Sequence, residues 1–522
     1  MIECYDAVVI GSGFGGSINS LRLAQAGKST LVLERGKRYK PGDFPRDATN
    51  VNEIFWRYPR TREAQGLYDV RFLSSLATIA ASGVGGGSLI YSNVHIRPDP
   101  VVFESDRWPR SISRRSLDKY YDIVAGTLDV SPLPEESEVT VRSSFRKAAM
   151  AVHRTIFDPD QAVSWKQPSD PARQACQLCA ECELGCQFGA KNTLDFTYLA
   201  SSERLGTRIQ PGAWVSHIEP ATMGYRVHFV DLTTGEKKVV YGSRVVVSAG
   251  TLGTNEILLR SRDINKTLPR LSRRLGCGYS ANGDFLGTIR NTAIDLHPWE
   301  APAATSFLRY CDSTPSFLIA ASTFNQATMR VLASVAQSDL RSLRPLSWLL
   351  WPAMSFALLW SFKLGLLHHL SRLHLNSARD PSRMMNLFAT GIDNANGEIR
   401  LRNGRLDIVW DYARENAQLI QEMTCAMREI SEVYSGSFAP LLIWALFKRI
   451  ITAHPLGGCH LSDRAERGVV SPCGEVHFYP GLFVSDGAVI PTSLGFPPAM
   501  TISALSELIA QAVVDSYSSS SS

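Results

Sequence analysis

The feature that most constrains the fold of this chain is an apolar strand that runs into closely spaced glycines near the N-terminus. Starting at Tyr5 the chain reads Tyr-Asp-Ala-Val-Val-Ile-Gly-Ser-Gly-Phe-Gly-Gly, which places Gly11, Gly13 and Gly16 at the spacing G-x-G-x-x-G. A second apolar strand ends at Glu34, about 20 residues further on, where dinucleotide-binding units carry an acidic residue. The pattern therefore predicts a strand-helix-strand unit that binds a dinucleotide.

Each residue of this pattern has its own physical role. Gly11 permits the tight turn, Gly13 lets the backbone approach a pyrophosphate, and Gly16 lets helix and strand pack closely. The helix N-terminus faces the phosphates. Glu34 can accept hydrogen bonds from an adenosine ribose and would repel a 2′-phosphate, which favours FAD or NAD over NADP. An ordinary glycine-rich turn is the weaker interpretation, because strand, helix and acidic residue are all in place.

Composition and charge narrow the class of protein further. The chain has 522 residues, of which 44% are hydrophobic and 20% charged, which is typical of a globular protein with two or three domains. The net charge of +5 is spread along the chain, so we expect no nucleic-acid partner, although attraction to an anionic membrane surface stays open. The first strand leaves no room for a signal peptide, so the expected location is the cytoplasm. Residues 518–522 are expected to form a disordered tail.

Four of the ten cysteines crowd into one short segment. Cys176, Cys179, Cys182 and Cys186 have the spacing C-x2-C-x2-C-x3-C of bacterial ferredoxins, although Gln187 replaces the proline that normally follows. In a reducing compartment such crowding indicates metal binding. A [4Fe-4S] or [3Fe-4S] cluster, a zinc ion, and structural cysteines that are reduced or disulfide-paired all stay open.

The order of motifs along the chain predicts an α/β fold with discontinuous domains. We expect a Rossmann-like FAD-binding domain from residues 1–105, 187–280 and 451–517, linked by residues 106–186, which hold the cysteine cluster. Apolar and alternating segments predict hairpin strands between residues 208 and 248. Residues 281–450 are expected to form an α+β substrate-binding domain with an antiparallel sheet, in which Asp393-Asn-Ala-Asn-Gly397 signals a hairpin.

Two hydrophobic stretches in this second domain predict contact with lipid. Leu346–Leu367 is long enough to span a bilayer, but Pro352 and Lys363 weaken that interpretation. Its tryptophans and flanking arginines suit an interfacial helix or the lip of a lipid-accepting pocket, and a buried core helix is the alternative. The shorter stretch Phe438–Ile450 is interpreted in the same way.

Three further segments carry candidate chemistry. Ser82–Asn93 is a second glycine-rich loop that can cradle an anion or a ring. His454 lies in Thr-Ala-His-Pro-Leu-Gly-Gly-Cys-His, where a rigid loop can hold an imidazole as a proton acceptor, although a lone histidine is more often structural. An Asp-Gly turn at Asp486 precedes a helix that prolines open, and the positive end of this helix could stabilise negative charge on a reduced flavin.

Taken together, these blocks resemble the glucose-methanol-choline (GMC) FAD-dependent oxidoreductases, specifically the bacterial branch with cholesterol oxidases. The resemblance implies that His454 is catalytic. It also implies FAD contacts in four parts of the chain, made by Gly11, Gly13, Gly16, Glu34, Gly85, Gly86, Ser88, Asn93, Val215, Asp486 and Gly487. One position departs from the family pattern, because Pro497 stands where these enzymes carry a second polar residue, Asn or His. Proline cannot donate a hydrogen bond to a substrate oxygen.

The resulting functional hypothesis is oxidation of a hydrophobic alcohol, of sterol, terpenoid or long-chain type, by hydride transfer to flavin N5 with His454 as the base. An iron-sulfur cluster would let electrons leave one at a time to an acceptor protein or quinone. The alternatives are a flavoprotein double-bond reductase or isomerase acting on a lipid-like enone, and a flavin-bearing partner subunit without turnover.

Overall fold

The computed structural model describes residues 2–46, 50–312, 315–326, 328–329 and 380–518. The strands of this part are β1 Glu3–Ile10, β2 Thr30–Leu33, β3 Tyr68–Phe72, β4 Ala77–Ala81, β5 Val94–His95, β6 Ile156–Phe157, β7 Asp160–Gln161, β8 Arg208–Gln210, β9 Ala213–Ala221, β10 Gly224–Asp231, β11 Lys237–Val247, β12 Cys277–Tyr279, β13 Phe285–Arg290, β14 Ala304–Tyr310, β15 Phe317–Ser322, β16 Met384–Gly391, β17 Gly397–Arg402, β18 Arg405–Val409, β19 Ser437–Pro440, β20 Ile451–Thr452 and β21 Leu482–Val484. The helices are α1 Phe14–Gln25, α2 Val51–Ile54, α3 Arg114–Leu128, α4 Thr140–Ala151, α5 Tyr198–Arg204, α6 Gly250–Leu259, α7 Tyr412–Glu415, α8 Ala417–Val433, α9 Leu442–Phe447 and α10 Ala499–Ser518.

A seven-stranded sheet forms the centre of the nucleotide-binding part of the fold. Its order is β8-β2-β1-β11-β10-β9, and β21 also pairs with β11. Strands β8, β2, β1, β11 and β21 pair in parallel, whereas β9, β10 and β11 form an antiparallel meander. Residues Ala7–Ile10 at the end of β1 are at most 2% exposed, and helix α1 packs against β1, β2 and β11.

The antiparallel sheet of the second part has six strands in the order β19-β13-β16-β15-β14-β6. Helix α8 packs against β13, β16 and β19, and α4 packs against β14. Nearly every side chain of β15 and β16 is buried, so these strands are mostly apolar on both faces, and the few polar side chains, such as Asn386 and Thr390, are buried as well. This sheet forms one wall of the cavity described below.

The predicted fold class is confirmed: a Rossmann-like domain from discontinuous segments accompanies an α+β domain with an antiparallel sheet. The domain limits stay a prediction. The hairpin prediction at residues 393–397 is wrong, because β16 and β17 belong to different sheets and the turn crosses between them. Asp393 accepts hydrogen bonds there from Ser280 Oγ and from the backbone N–H groups of Ala281 and Gly283.

Several sequence predictions concern the lipid-facing stretches and the tail. The stretch Leu346–Leu367 and residues 519–522 lie outside the described residues, and Ser518 is helical as the last residue of α10. The second stretch forms β19 and the short helix α9, whose side chains are mostly partly exposed. Among the helices of the described ranges, none combines the length and the hydropathy that crossing a bilayer requires.

Candidate active site

A cavity of about 680 Å³ begins where β1 meets the first glycine loop. Gly11 has φ +97° and its N–H donates to Leu33 O at 2.8 Å, so the chain turns sharply there. An added Cβ at Gly11 would lie 2.3 Å from Ser248 O, and one at Gly16 would lie 1.9 Å from Gly11 O. At Gly13, by contrast, a Cβ would meet only Gly86 Cα at 4.0 Å. This open backbone at a helix N-terminus fits a pyrophosphate group.

Glu34 lies in the same cavity wall at the end of β2. One carboxylate oxygen accepts from the backbone N–H and the hydroxyl of Ser12, at 3.1 and 2.6 Å, and the other accepts from Gly36 N–H at 2.8 Å. Burial raises the pKa of Glu34, and the hydrogen bonds from Ser12 and Gly36 counteract part of that rise. The held carboxylate fits the role predicted for it toward an adenosine ribose.

The second glycine loop packs directly against the first. A Cβ at Gly86 would lie 2.6 Å from Gly13 Cα, so the two loops approach as closely as backbone allows. Gly86 lines the cavity, whereas Gly85, Ser88 and Asn93 do not. Gly85 makes the turn with φ +108°, and the Ser88 hydroxyl donates to Gly85 O at 2.7 Å. Asn93 is fully buried behind the loop.

The remaining predicted FAD contacts also reach the cavity. Val215 on β9 lines one end of it, and Asp486 and Gly487 follow β21 in its wall. The Asp486 carboxylate accepts from the hydroxyl of Thr254 at 2.5 Å and from Ala488 N–H at 2.8 Å. Burial raises the pKa of Asp486 to about 6. Segments from both ends of the chain thus line the same cavity.

His454 lies further along the same cavity and is oriented by a buried carboxylate. Its Nδ1 lies 2.8 Å from Asp284 Oδ1, and the Asp284 side chain is fully buried. The other oxygen of Asp284 accepts from the Thr452 hydroxyl at 2.8 Å and from Ala453 N–H at 3.0 Å. A carboxylate at Nδ1 favours the tautomer with hydrogen on Nδ1, which leaves Nε2 as a proton acceptor.

The wall around His454 is mostly apolar. It includes aromatic and aliphatic side chains of the antiparallel sheet and its neighbours, namely Leu286, Ala304, Phe307, Ala320, Phe324 and Phe388. The Phe388 ring packs edge-on against the His454 imidazole at 5.5 Å between centroids. Pro497 also lines this region, in front of α10. Glu183 and Ser92 bring polar atoms into the same wall.

A charged network borders the nucleotide end of the cavity. Asp69 is 4% exposed and contacts Arg35 at 2.9 Å and Arg71 at 2.7 Å, and Arg71 also contacts Glu256 at 2.9 Å. Burial raises the pKa of Asp69, but the two guanidinium groups lower it further, so the carboxyl stays ionised. The ion pairs among these side chains therefore hold them in place along this edge of the cavity.

The four clustered cysteines lie together, but the metal prediction finds no support. Their side chains line a separate cavity of only about 20 Å³. Such a volume holds about one water molecule, which is too little for an iron-sulfur cluster. Across the described ranges, no group of three or more His, Cys, Asp or Glu side chains is placed to hold a metal ion. Burial raises the pKa of Cys176 to about 12 and that of Cys179 to about 11, so both side chains are thiols at neutral pH when no metal is bound. The assignment of Cys176, Cys179, Cys182 and Cys186 as cluster or zinc ligands therefore has no support in the described residues and stays a prediction from their spacing.

Three residues of the site escaped the sequence analysis. Ser12 lies between two glycines of the fingerprint and could have been noticed as a hydrogen-bond partner of Glu34. Asp284 lies 170 residues from His454 in the chain, and no spacing connects the two. Glu183 lies inside the cysteine motif, whose spacing assigns no role to the residues between the cysteines.

Fold and cavity together define a flavin-type oxidoreductase, in which a dinucleotide cradle continues into an apolar chamber with a carboxylate-oriented histidine. GMC oxidoreductase family profiles match residues 5–277 and 394–506, so the chain belongs to the GMC oxidoreductases. It is an FAD-dependent oxidoreductase of this family.

Individual relatives agree with this assignment. A cholesterol oxidase of Acinetobacter baumannii is 27% identical, and the match covers 96% of this chain and 93% of the relative. A long-chain-alcohol oxidase of Arabidopsis thaliana is 25% identical over 99% of this chain and 68% of the relative. The solved structure of pyridoxine 4-oxidase from Mesorbium loti superposes with a TM-score of 0.64 at 15% identity, covering 97% of this chain and 98% of that one, which shows the shared fold.

Proposed function

We propose that this enzyme oxidises the hydroxyl group of a hydrophobic alcohol and that His454 takes the hydroxyl proton. The observation that carries the proposal is the His454–Asp284 pair in the wall of a cavity that starts at the dinucleotide cradle. A base near neutral pH beside a hydride acceptor is the arrangement that alcohol oxidation needs.

The residues of the chain divide the work as follows. Asp284 holds the imidazole in one orientation, and Thr452 and Ala453 hold Asp284 in turn. His454 Nε2 accepts the hydroxyl proton as the carbinol carbon loses hydride, and the product is an aldehyde or ketone. FAD, when bound, supplies the hydride acceptor. The apolar side chains of the chamber exclude water, which strengthens the charge interactions within it.

The chemistry of the chamber supports a hydrophobic substrate. Apolar side chains dominate the wall around His454. Two relatives are named for cholesterol and for long-chain alcohols, and a sterol, terpenoid or long-chain alcohol is accordingly the proposed class for this chain. Electrons would then pass to oxygen, a quinone or an acceptor protein.

Peripheral contact with a membrane is part of the same proposal. Helix α9 presents apolar side chains that are mostly partly exposed. Its Trp444 packs on Phe285 of β13, the strand that also contributes Leu286 to the cavity wall. A lipid surface at α9 would deliver an apolar substrate close to the chamber.

Anaerobic reduction of the purified holoenzyme tests the function. We expect dodecanol or cholesterol to bleach the flavin absorbance, and His454→Ala to slow that reduction by about 100-fold or more while FAD stays bound. His153→Ala, at an exposed histidine, is the control. A flavin that no alcohol bleaches, but that reoxidises with lipid-like enones after chemical reduction, would instead establish the double-bond reductase that Pro497 suggests.

A further inference from the structure

The cysteine loop places a carboxyl group in the reaction chamber. Glu183 lies between Cys182 and Leu184 in a short 3-10 turn, and its side chain lines the cavity that also holds His454. One carboxyl oxygen, Oε1, accepts from the Ser92 hydroxyl at 2.5 Å. Among the described residues, the second oxygen, Oε2, has no hydrogen-bond partner.

The backbone around Glu183 is fixed at four consecutive carbonyl groups. Lys191 Nζ donates to Cys182 O at 2.9 Å, and the Tyr68 hydroxyl donates to Glu183 O at 2.7 Å. Arg46 donates to Leu184 O at 2.8 Å and to Gly185 O at 2.6 Å. A loop held at every carbonyl presents its side chain in one position, which is what a recognition group needs.

The turn that follows shows how closely this loop is built. Gly185 has φ +87°, and an added Cβ would lie 2.1 Å from Cδ1 of Phe44. Lys191 also donates to Leu89 O at 3.1 Å and to Tyr91 O at 2.9 Å, which ties the cysteine loop to the second glycine loop. The cysteine-rich segment therefore has a positioning role toward the chamber.

We infer that Glu183 determines specificity by recognising a second hydrogen-bond donor on the substrate, so that the preferred substrate is a hydrophobic diol or amino alcohol rather than a simple monoalcohol. This inference rests on the proposed alcohol oxidation and names the substrate class for the same site.

The chamber offers more hydrogen-bond acceptors than a simple alcohol has donors. A reacting hydroxyl has a single proton, and His454 Nε2 takes it. The free oxygen of Glu183 must then find another donor, because a substrate that fills the apolar chamber displaces the water that would otherwise solvate it. Pro497 has no N–H and Phe388 has no polar atom, so neither of these neighbouring wall residues can supply one.

Burial and the neighbouring groups act on Glu183 in opposite directions. Burial raises the pKa of the carboxyl, whereas the Ser92 hydrogen bond and the positive charges of Lys191 and protonated His454 lower it. In the ionised form the carboxyl group only accepts hydrogen bonds, so its unpaired oxygen is costly in the filled chamber unless the substrate brings a second donor, and the inference applies to this ionised form. A site built to bond a substrate donor rejects analogues that lack it by large factors.

Competition between matched substrates tests the inference. We expect the wild-type enzyme to favour the vicinal diol of dodecane over dodecanol in kcat/KM by at least about 100-fold. Glu183→Leu should bring the two substrates to within about 3-fold, through faster dodecanol turnover and slower diol turnover. Glu183→Gln keeps an acceptor oxygen and should retain most of the preference. Glu236→Gln is the control, because that exposed carboxylate pairs with Lys238 in the turn between β10 and β11 and has no contact with the Glu183 loop.

Other outcomes would overturn the inference. Equal use of both alcohols by the wild type, or an unchanged preference in Glu183→Leu, contradicts it. A changed flavin midpoint potential or absorbance maximum in Glu183→Gln, without a change in preference, would assign Glu183 to the cofactor instead. Thermal shifts of the oxidised holoenzyme with dodecanol and with the diol add a binding readout. If no alcohol reduces the flavin, the proposed function is wrong. If the thermal shift is the same with dodecanol as with the diol, the inference about Glu183 is wrong, whatever the outcome for the proposed function.

Discussion

Replacing Asp284 by Asn tests the central geometry of the site with a change of very few atoms. In the wild type, Oδ2 accepts from the Thr452 hydroxyl and from Ala453 N–H, and Oδ1 faces His454 Nδ1 at 2.8 Å. An asparagine must keep its carbonyl oxygen toward the two donors, so its NH₂ group turns toward Nδ1. That amide donates where the carboxylate accepted, and it forces the imidazole hydrogen onto Nε2. The imidazole can then no longer take the substrate proton.

The expected loss of catalytic rate is large because the His454 imidazole would be held in the tautomer that cannot accept the substrate proton. The same inversion of a carboxylate–histidine pair in serine proteases lowers kcat by about 10⁴-fold, which corresponds to about 5 kcal/mol of activation free energy. We expect the rate of anaerobic flavin reduction by a saturating alcohol, measured by stopped flow, to fall by a factor of that order. KM should change little, because Asp284 is fully buried and does not touch the substrate.

The control for this experiment is Asp407→Asn, which alters a buried carboxylate that Ser74 holds outside the site. Both variants should retain FAD, as judged from the ratio of flavin to protein absorbance. A reduction rate in Asp284→Asn within about 3-fold of wild type, with full FAD content, would refute the role of Asp284 as the group that orients His454.

Three further predictions concern the cofactor, stability and the cysteines. Gly11→Ala should be purified without flavin colour, since its Cβ would lie 2.3 Å from Ser248 O at φ +97°, whereas Gly27→Ala, with φ +69° and open space around it, should keep FAD. Burial lowers the pKa of His460 to about 4, so the unfolded chain, with a histidine pKa of about 6.5, binds a proton that the folded chain does not. The free energy of unfolding should therefore drop as pH falls from about 6.5 to 4, and His460→Gln should reduce that drop by about 3 kcal/mol in denaturant titrations. Exposed His153→Gln is the control. Parallel curves of unfolding free energy against pH for wild type and His460→Gln would contradict this prediction. Anaerobically purified holoenzyme should contain well under one iron atom and one acid-labile sulfide per chain, and stoichiometric iron that disappears in Cys179→Ser would restore the cluster.

Local features of the fold were predictable because they depend on neighbours in sequence. The first strand, its glycine turn and the following helix were predicted, and β1, α1 and β2 occur there. The strands between residues 208 and 248 likewise follow from their periodicity. The hairpin prediction at residues 393–397 failed because turn residues indicate a change of direction without indicating which strand the chain will pair with next.

The cysteine segment shows the same limit for chemistry. Spacing predicts which sulfurs can reach one centre, but the volume between them depends on packing by distant segments such as Ala301 and Pro302. The structure leaves a cavity of about 20 Å³ between the cysteines. It also places Glu183, to which the motif assigns no role, in the wall of the reaction chamber.

The sequence by itself predicted the cofactor class, because Gly11 to Glu34 act through backbone geometry and side-chain type that a short segment encodes, and its resemblance to the family proposed His454 as the base. Only the tertiary structure decided which carboxylates accompany that base. Asp284 reaches His454 because both chain segments meet beside the antiparallel sheet, and Glu183 reaches the chamber because Lys191, Tyr68 and Arg46 hold its loop. These contacts join residues far apart in the chain. They depend on the packing of the whole fold, which no local periodicity or spacing in the sequence encodes.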